Sequence, residues 1–322
     1  MLQCRAMSEQ PQFSIGTSGY SYPGPPPKGW AGVFYPTKGK RVDALEYYSR
    51  LFDTVEINSS FYGPPSPAMA EGWVRKTPAD FQFSLKLWQK FTHVRKVNQP
   101  GAAPNEAWDA VTQADVDVFR SGVEPLARSG KLGALLLQYP AGFYATPENM
   151  EKLAATLRTF QDYPQVVELR HRGWSDAAGE TRSLLDSHRA GLALIDEPKF
   201  ESSIRQKLEV VGETLYFRAH GRNAAKWWTH SESWERYDYC YSREEIRALA
   251  DGIRKATTAS PHVKTVRIYF NNHARASAAV NALMLLHELG LKVKSAPGAE
   301  LLAAFPQLAQ IFPAADQGNL PL

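Results

Sequence analysis

Short β-rich runs alternate with segments whose apolar residues recur at helical spacing. Eight such runs occur, at residues 13–18, 54–59, 81–86, 133–138, 165–170, 191–196, 214–220 and 264–271. The helical segments between them carry their own start and stop signals. Thr146-Pro147 reads as an N-cap followed by proline in the first turn, with Met150, Leu153, Ala154 and Leu157 on one face. Ser66-Pro67 repeats that opening ahead of Met69 and Trp73, and Ser242 with Glu245 has the spacing of a capping box before Ile246, Leu249, Ala250 and Ile253. The last segment aligns Ala276, Ala279, Val280, Leu283 and Leu286 and stops at Gly290.

Strands alternating with helices imply βαβ units and a parallel sheet. Eight units within a chain of 322 residues predict a TIM-type (β/α)8 barrel forming a single domain. An open doubly wound sheet would carry a glycine-rich dinucleotide turn after its first strand, and GTSGYSYPG (16–24) is not G-x-G-x-x-G. The expected organisation is a loose tail over 1–12, the barrel over 13–296 and a C-terminal helix and tail over 297–322. Long βα loops follow strands 1, 3 and 7. The first and last are rich in aromatic residues, and Trp227, Trp228 and Trp234 make the last a candidate lid. Residues 98–111, after strand 3, are rich in Pro, Ala and Asn and are expected to be mobile.

Composition narrows the class. Hydrophobic residues make up 43% and charged residues 22%, as in ordinary globular proteins. No stretch reaches the roughly 18–20 apolar residues of a membrane span. The start lacks the apolar centre of a secretory signal, so a cytoplasmic location and no membrane partner are expected. Two cysteines, Cys4 and Cys240, set up neither a disulfide framework nor a zinc site. A net charge of +4 tolerates an anionic ligand without requiring one.

Strand parity points to chemistry. Side chains alternate between the two faces of a strand. One face of each run is apolar, as a helix-covered outer face must be, whereas the other carries Glu56, Asn58, Lys86, Glu168, Arg170, Arg218, His220, Arg267, Tyr269 and Asn271. Gln138 and Asp196 end two otherwise apolar runs. Unpaired buried ions cost several kcal/mol, so this interior set must be neutralised by itself or by a ligand.

Eight segments carry a family resemblance: GTSGYSY (16–22), FYP (34–36), TVEINSSFY (54–62), FQFSLK (81–86), LGALLLQYP (132–140), VELRHRGW (167–174), FRAHGR (217–222) and YFNN (269–272). In this order, over roughly 13–290, they resemble the domain of unknown function 72 family, also called YecE-like. The resemblance implies a TIM-type barrel and supplies no reaction. Tyr20 stands where the family more often has Trp, and His273 where an acidic residue is common.

The expected function is an enzyme of hydrolase or lyase type, acting by acid–base chemistry on a small anionic, phosphorylated or sugar-like substrate. Glu56, Glu168 and Lys86 are the candidate catalytic groups. Arg218, Arg222, Asn271 and Asn272, at the ends of strands 7 and 8, are placed to hold an anion near a helix N-terminus. Ser18, Asn58, Gln138, Arg170, Asp196, His220 and Tyr269 are candidate substrate contacts. Two other readings stand beside it. One is a non-catalytic binder of a phosphate-bearing or single-stranded nucleic-acid ligand, nucleic acid being possible but not favoured. The other is a metal-dependent hydrolase or isomerase using Glu168, Asp196 and His220. No cofactor is predicted, and a metal is left open.

Overall fold

The computed structural model describes residues 10–37, 42–93 and 110–313. Eight parallel strands close into a barrel in sequence order. They are β1 Gln12–Ser18, β2 Thr54–Ile57, β3 Gln82–Lys86, β4 Leu132–Gln138, β5 Gln165–Glu168, β6 Gly191–Asp196, β7 Thr214–Ala219 and β8 Thr265–Phe270. The helices are α1 Ala44–Ser49, α2 Pro67–Arg75, α3 Gln113–Arg128, α4 Pro147–Thr159, α5 Gly173–Asp176, α6 Ala178–Ser187, α7 Ala224–Trp227, α8 Arg243–Ala259, α9 Ser277–Glu288, α10 Ala299–Ala304 and α11 Pro306–Ala309. The capping signals act as the sequence implies. Ser66 and Thr146 cap α2 and α4, and Ser242 forms a reciprocal capping box with Glu245 at α8.

The (β/α) alternation has one gap. The chain from 197 to 213, between β6 and β7, contains no helix and instead lies as an irregular strap over the outer face of β6. It leaves a cavity of about 380 Å³, walled by Leu192 and Leu194 of β6, Leu185 of α6, and Ile204 and Val211 of the strap. The tail over 1–9, most of the 98–111 segment and residues 314–322 fall outside the described residues.

Inside the barrel the side chains stack in layers, as expected for this fold. Ala134, Leu136, Val166, Ala193, Tyr216 and Tyr269 form an enclosed apolar layer. Tyr269 spends its hydroxyl here, 2.7 Å from Thr54 Oγ1 and 2.9 Å from Ser84 Oγ, so it is a core residue rather than a substrate contact. Below this layer lies Arg267. Pairing of β3 with β4 slips between Phe83 and Ser84, leaving Gly133 as the extra residue, and a Cβ on Gly133 would stand 2.6 Å from Arg267 Nη1. The bulge and its glycine together make room for the guanidinium.

Above the apolar layer the interior turns ionic, at the C-terminal mouth. There the sequence parity fails at one strand. Ala193 and Ile195 pair in register with the inward Tyr216 and Arg218, so Asp196 belongs to the outer set and Glu197 to the inner one.

Closure of the ring between β1 and β2 depends on Gly16. A Cβ there would sit 2.2 Å from the Thr54 carbonyl oxygen and 2.8 Å from the Tyr48 hydroxyl. That hydroxyl receives the Thr17 N–H at 2.9 Å and donates to the Thr54 carbonyl at 3.0 Å, tying α1 to both strands. Overpacking at such a site typically costs about 1–3 kcal/mol. Gly16→Ala is therefore expected to lower the urea midpoint by that equivalent, and an unchanged midpoint would show that the two strands can part without penalty.

Candidate active site

Arg218, at the end of β7, is the hub of the mouth. It is 1% exposed, and its guanidinium bridges two carboxylates that have no exposure. Nε and Nη2 donate to Glu56 of β2 at 3.0 and 2.6 Å, and Nη1 donates to Glu168 of β5 and to Gln138 of β4 at 3.2 Å. Tyr216 completes Glu56 by donating its hydroxyl at 2.7 Å. Arg170, just past β5, continues the chain of charges, with Nε 2.8 Å from Glu168 and Nη1 3.1 Å from Glu197. The order Glu56–Arg218–Glu168–Arg170–Glu197 alternates sign throughout.

This alternation sets the protonation states. Burial by itself would raise the Glu168 carboxyl, but the two guanidinium groups outweigh it and hold Glu168 far below the ordinary carboxylate range. It is therefore an anion at neutral pH and has no proton to give as a general acid. Burial pushes the Glu197 carboxyl up, and Arg170 offsets only part of that. His220 Nε2 lies 3.4 Å from Arg218 Nη1 and 3.3 Å from Arg170 Nη2. Burial and then these two cations keep the imidazole well below its ordinary value. The ring is neutral, with Nε2 turned to the two arginines and Nδ1 2.9 Å from the Asn271 amide nitrogen.

The expected anion cradle at the ends of β7 and β8 does not take shape. Arg222 is engaged at the rim, 2.9 Å from Asp196 and 2.7 Å from Glu245. Asn272 donates to the Tyr239 carbonyl and to Asn281, both at 2.8 Å. Asn271 and Asn272 also stop short of a helix N-terminus. A 3-10 turn at Ala274–Ala276 intervenes, and α9 begins only after Ala276, in a left-handed conformation. The three residues weighed as metal ligands are likewise dispersed. His220 Nε2 is 3.9 Å from Glu168, but both face arginines, and Asp196 is bound to Arg222. Among the described residues no cluster of His, Cys, Asp and Glu side chains is arranged to hold a metal ion.

Lys86 differs from every other charge in the mouth. It ends β3, is partly exposed, and makes no ion pair among the described residues; its Nζ lies 4.5 Å over the Phe61 ring. Burial, reinforced by Arg218, pulls its ammonium down to about 7, against the upward pull of Glu56 and Glu168. Beside it two further groups lack partners: Ser18 Oγ at the end of β1 and Asn58 Oδ1 just past β2.

The loop after β7 folds over the mouth. Trp227 is buried against His220 and Tyr237, with ring centroids at 6.4 and 6.2 Å. Tyr237 continues to His273 at 5.1 Å, and His273 stacks on Tyr22 at 4.8 Å. Trp228 is 65% exposed beside Phe200, and Trp234 is half-buried, with its indole N–H unpartnered. Sequence reasoning placed Tyr237 only within the aromatic loop after strand 7 and missed Glu197, Tyr22 and His93. The last is held neutral near 4, first by burial and then by Lys86, and it meets Phe61 edge-on at 5.0 Å. The aromatic content of the first and seventh loops was the available signal for the two tyrosines, whereas for Glu197 parity pointed to its neighbour.

Because the folded-state pKa of Glu168 is depressed, its stabilisation is complete above its ordinary value of 4.5 and is lost as pH falls below it. Glu168→Gln should therefore cost about 3 kcal/mol at pH 7, within the range for breaking a buried pair. The gap to the unmodified chain should narrow steadily below pH 4.5 in urea melts. A gap independent of pH would mean that Glu168 is not held as an anion.

Comparison with known proteins matches this architecture. Residues 14–306 match the family described as "Protein of unknown function DUF72". The chain is 29% identical over 274 residues to UPF0759 protein YunF of Bacillus subtilis, covering 82% of this chain and 93% of that one. It is 30% identical to UPF0759 protein YecE of Escherichia coli over 154 residues, 47% of this chain and 50% of that one. The crystal structure of a DUF72 family protein from Thermotoga maritima is similar, with a TM-score of 0.71 and 33% identity over 87% of this chain and 99% of that one. One from Enterococcus faecalis gives a TM-score of 0.73 with 25% identity over 87% and 96%. With eight parallel strands closed in order and a family match over most of its length, the chain belongs to the DUF72 family.

Proposed function

We propose that this protein is an enzyme of lyase or hydrolase type whose reacting group is Lys86, acting on a small polar, sugar-like or phosphorylated substrate at the C-terminal mouth of the barrel. The observation that carries this reading is the contrast between Lys86 and its surroundings. The other mouth cations, Arg170 and Arg218, are bonded to carboxylates and cannot leave them without stranding buried charge. Glu56 accepts three hydrogen bonds from Arg218 and Tyr216, and Glu168 is locked as an anion. Lys86 alone combines an unpaired, partly exposed position with titration near neutrality, where a general acid–base group is most effective.

The paired arginines change the expected substrate chemistry. A guest meets Lys86 without a carboxylate partner among the described residues, whereas Arg170 and Arg218 are already paired. One phosphate or carboxylate can be met by Lys86, and hydroxyl groups suit Ser18 and Asn58. The Tyr22, Tyr237 and Trp227 rings form an aromatic wall beside His220 and His273. No helix among the described residues is long and apolar enough to cross a membrane.

Two measurements test the reading. Competitive acetylation across pH, read by peptide mass, should place the Lys86 midpoint near 7, against about 10.4 for ordinary lysines. Metabolite mixtures incubated with the unmodified chain and with Lys86→Met should differ in at least one compound converted only by the former. A midpoint in the ordinary lysine range would remove the basis of the proposal.

A further inference from the structure

The mouth of the barrel divides into two arcs. From β4 to β8 its polar groups bond one another, and Glu56 of β2 joins them through Arg218: Gln138, Glu168 and Arg170, then Glu197, Arg218, and His220 with Asn271. The remaining mouth groups of β1 to β3 do not. Ser18 Oγ and Asn58 Oδ1 are buried without hydrogen-bond partners, and Lys86 Nζ has only the Phe61 face. The three come from consecutive strands at neighbouring heights. Ser18 pairs in register with Glu56, while Asn58 and Lys86 each lie one residue past the Ile57–Leu85 pair. Buried polar atoms in native folds are nearly always satisfied, so a run of unfilled ones beside an unpaired amine marks where a guest's own polar atoms go.

The chemistry of that arc selects the guest. A hydroxyl oxygen and an amide oxygen complement the hydroxyl groups of a ligand, and the amine complements an electrophilic carbon. The arginines that would hold a strongly anionic guest are already bonded to Glu56 and Glu168. Building on the acid–base reading of Lys86, we propose that its Nζ forms an imine with the carbonyl carbon of a small hydroxylated aldehyde or ketone held by Ser18 and Asn58. The lone pair of the neutral amine forms the new C–N bond, the C=O π electrons move to oxygen, and a proton passes from nitrogen to that oxygen, giving a neutral carbinolamine. A proton from solvent joins the hydroxyl, the C–O bond breaks, water leaves, and the protonated imine carries the single positive charge the ammonium form would carry. Burial and Arg218 oppose that charge, and Glu56 and Glu168 offset part of the opposition. No oxidant or reductant is required. Near pH 7 about half of Lys86 is the nucleophilic free amine, against roughly one in a thousand or fewer for an ordinary lysine.

Reductive trapping tests the proposal. The full chain is incubated at pH 7 with sodium cyanoborohydride and one probe: D-glyceraldehyde, dihydroxyacetone, or pyruvate as a carbonyl without a hydroxyl. Peptide mapping of the unmodified chain is expected to find the glyceraldehyde or dihydroxyacetone adduct at Lys86 at least about tenfold faster than at any surface lysine, with pyruvate trailing. Ser18→Ala and Asn58→Ala should each raise the glyceraldehyde concentration for half-maximal trapping about three- to tenfold, the worth of one hydrogen bond, without moving the Lys86 acetylation midpoint. Mapping locates the adduct even if Lys86→Met does not fold. Adducts scattered over surface lysines, with Lys86 unmodified yet titrating near 7, would overturn the imine and leave the acid–base reading intact. A Lys86 midpoint in the ordinary lysine range would overturn both. Equal trapping of pyruvate, unaffected at Ser18 and Asn58, would overturn the hydroxylated substrate class.

Discussion

Everything at the mouth is organised by one buried guanidinium. Arg218 has almost no contact with water, so its charge must be answered within the barrel, and it is answered by Glu56 on one side and Glu168 on the other. Each bond constrains a different strand. Glu56 ties β7 to β2 across the interior, Glu168 ties it to β5, and Gln138 adds β4. Removing any one member strands a buried charge, which costs far more than the pair contributes over apolar packing. The network consequently behaves as a unit, and the positions of Arg170, Glu197 and His220 follow from the sign alternation it imposes.

That same constraint separates the groups that can react from those that cannot. Glu168, bound to two arginines, and an imidazole facing two guanidinium groups keep one protonation state across the neutral range. Lys86 feels the positive potential of Arg218 and loses hydration, without a carboxylate close enough to restore its ammonium form fully. Burial, together with the Arg218 charge, thus lowers the Lys86 ammonium on the other arc. The aromatic loop after β7 contributes by burying Trp227 against His220 and linking through Tyr237 and His273 to Tyr22 in the first loop. Trp227 packs into this cluster, whereas Trp228 stays exposed beside Phe200.

Much of the architecture was legible from the chain alone. Strand positions and the capping residues Ser66, Thr146 and Ser242 depend on local rules, namely period-two alternation and side-chain bonds to the first helical turn. The irregular strap after β6 was not legible, because a helix was inferred from the rhythm of the other units rather than from its own residues. Asp196 misled for a related reason. β6 is apolar on both faces, so its parity had no anchor in the sequence, and pairing of Ala193 with Tyr216 placed Glu197 inside instead.

The sequence by itself determined that an ionic set would line the inside of a parallel barrel, because alternation along each strand is a local property. Partner choice within that set belonged to the tertiary structure. Strands β2 and β7, far apart in sequence, bring Arg218 to Glu56 and leave Lys86 without a carboxylate among the described residues, and nothing in the spacing of residues 56, 86 and 218 encodes which pair will meet. Coulomb energy depends on distance across the closed ring, and that distance exists only once the barrel has closed.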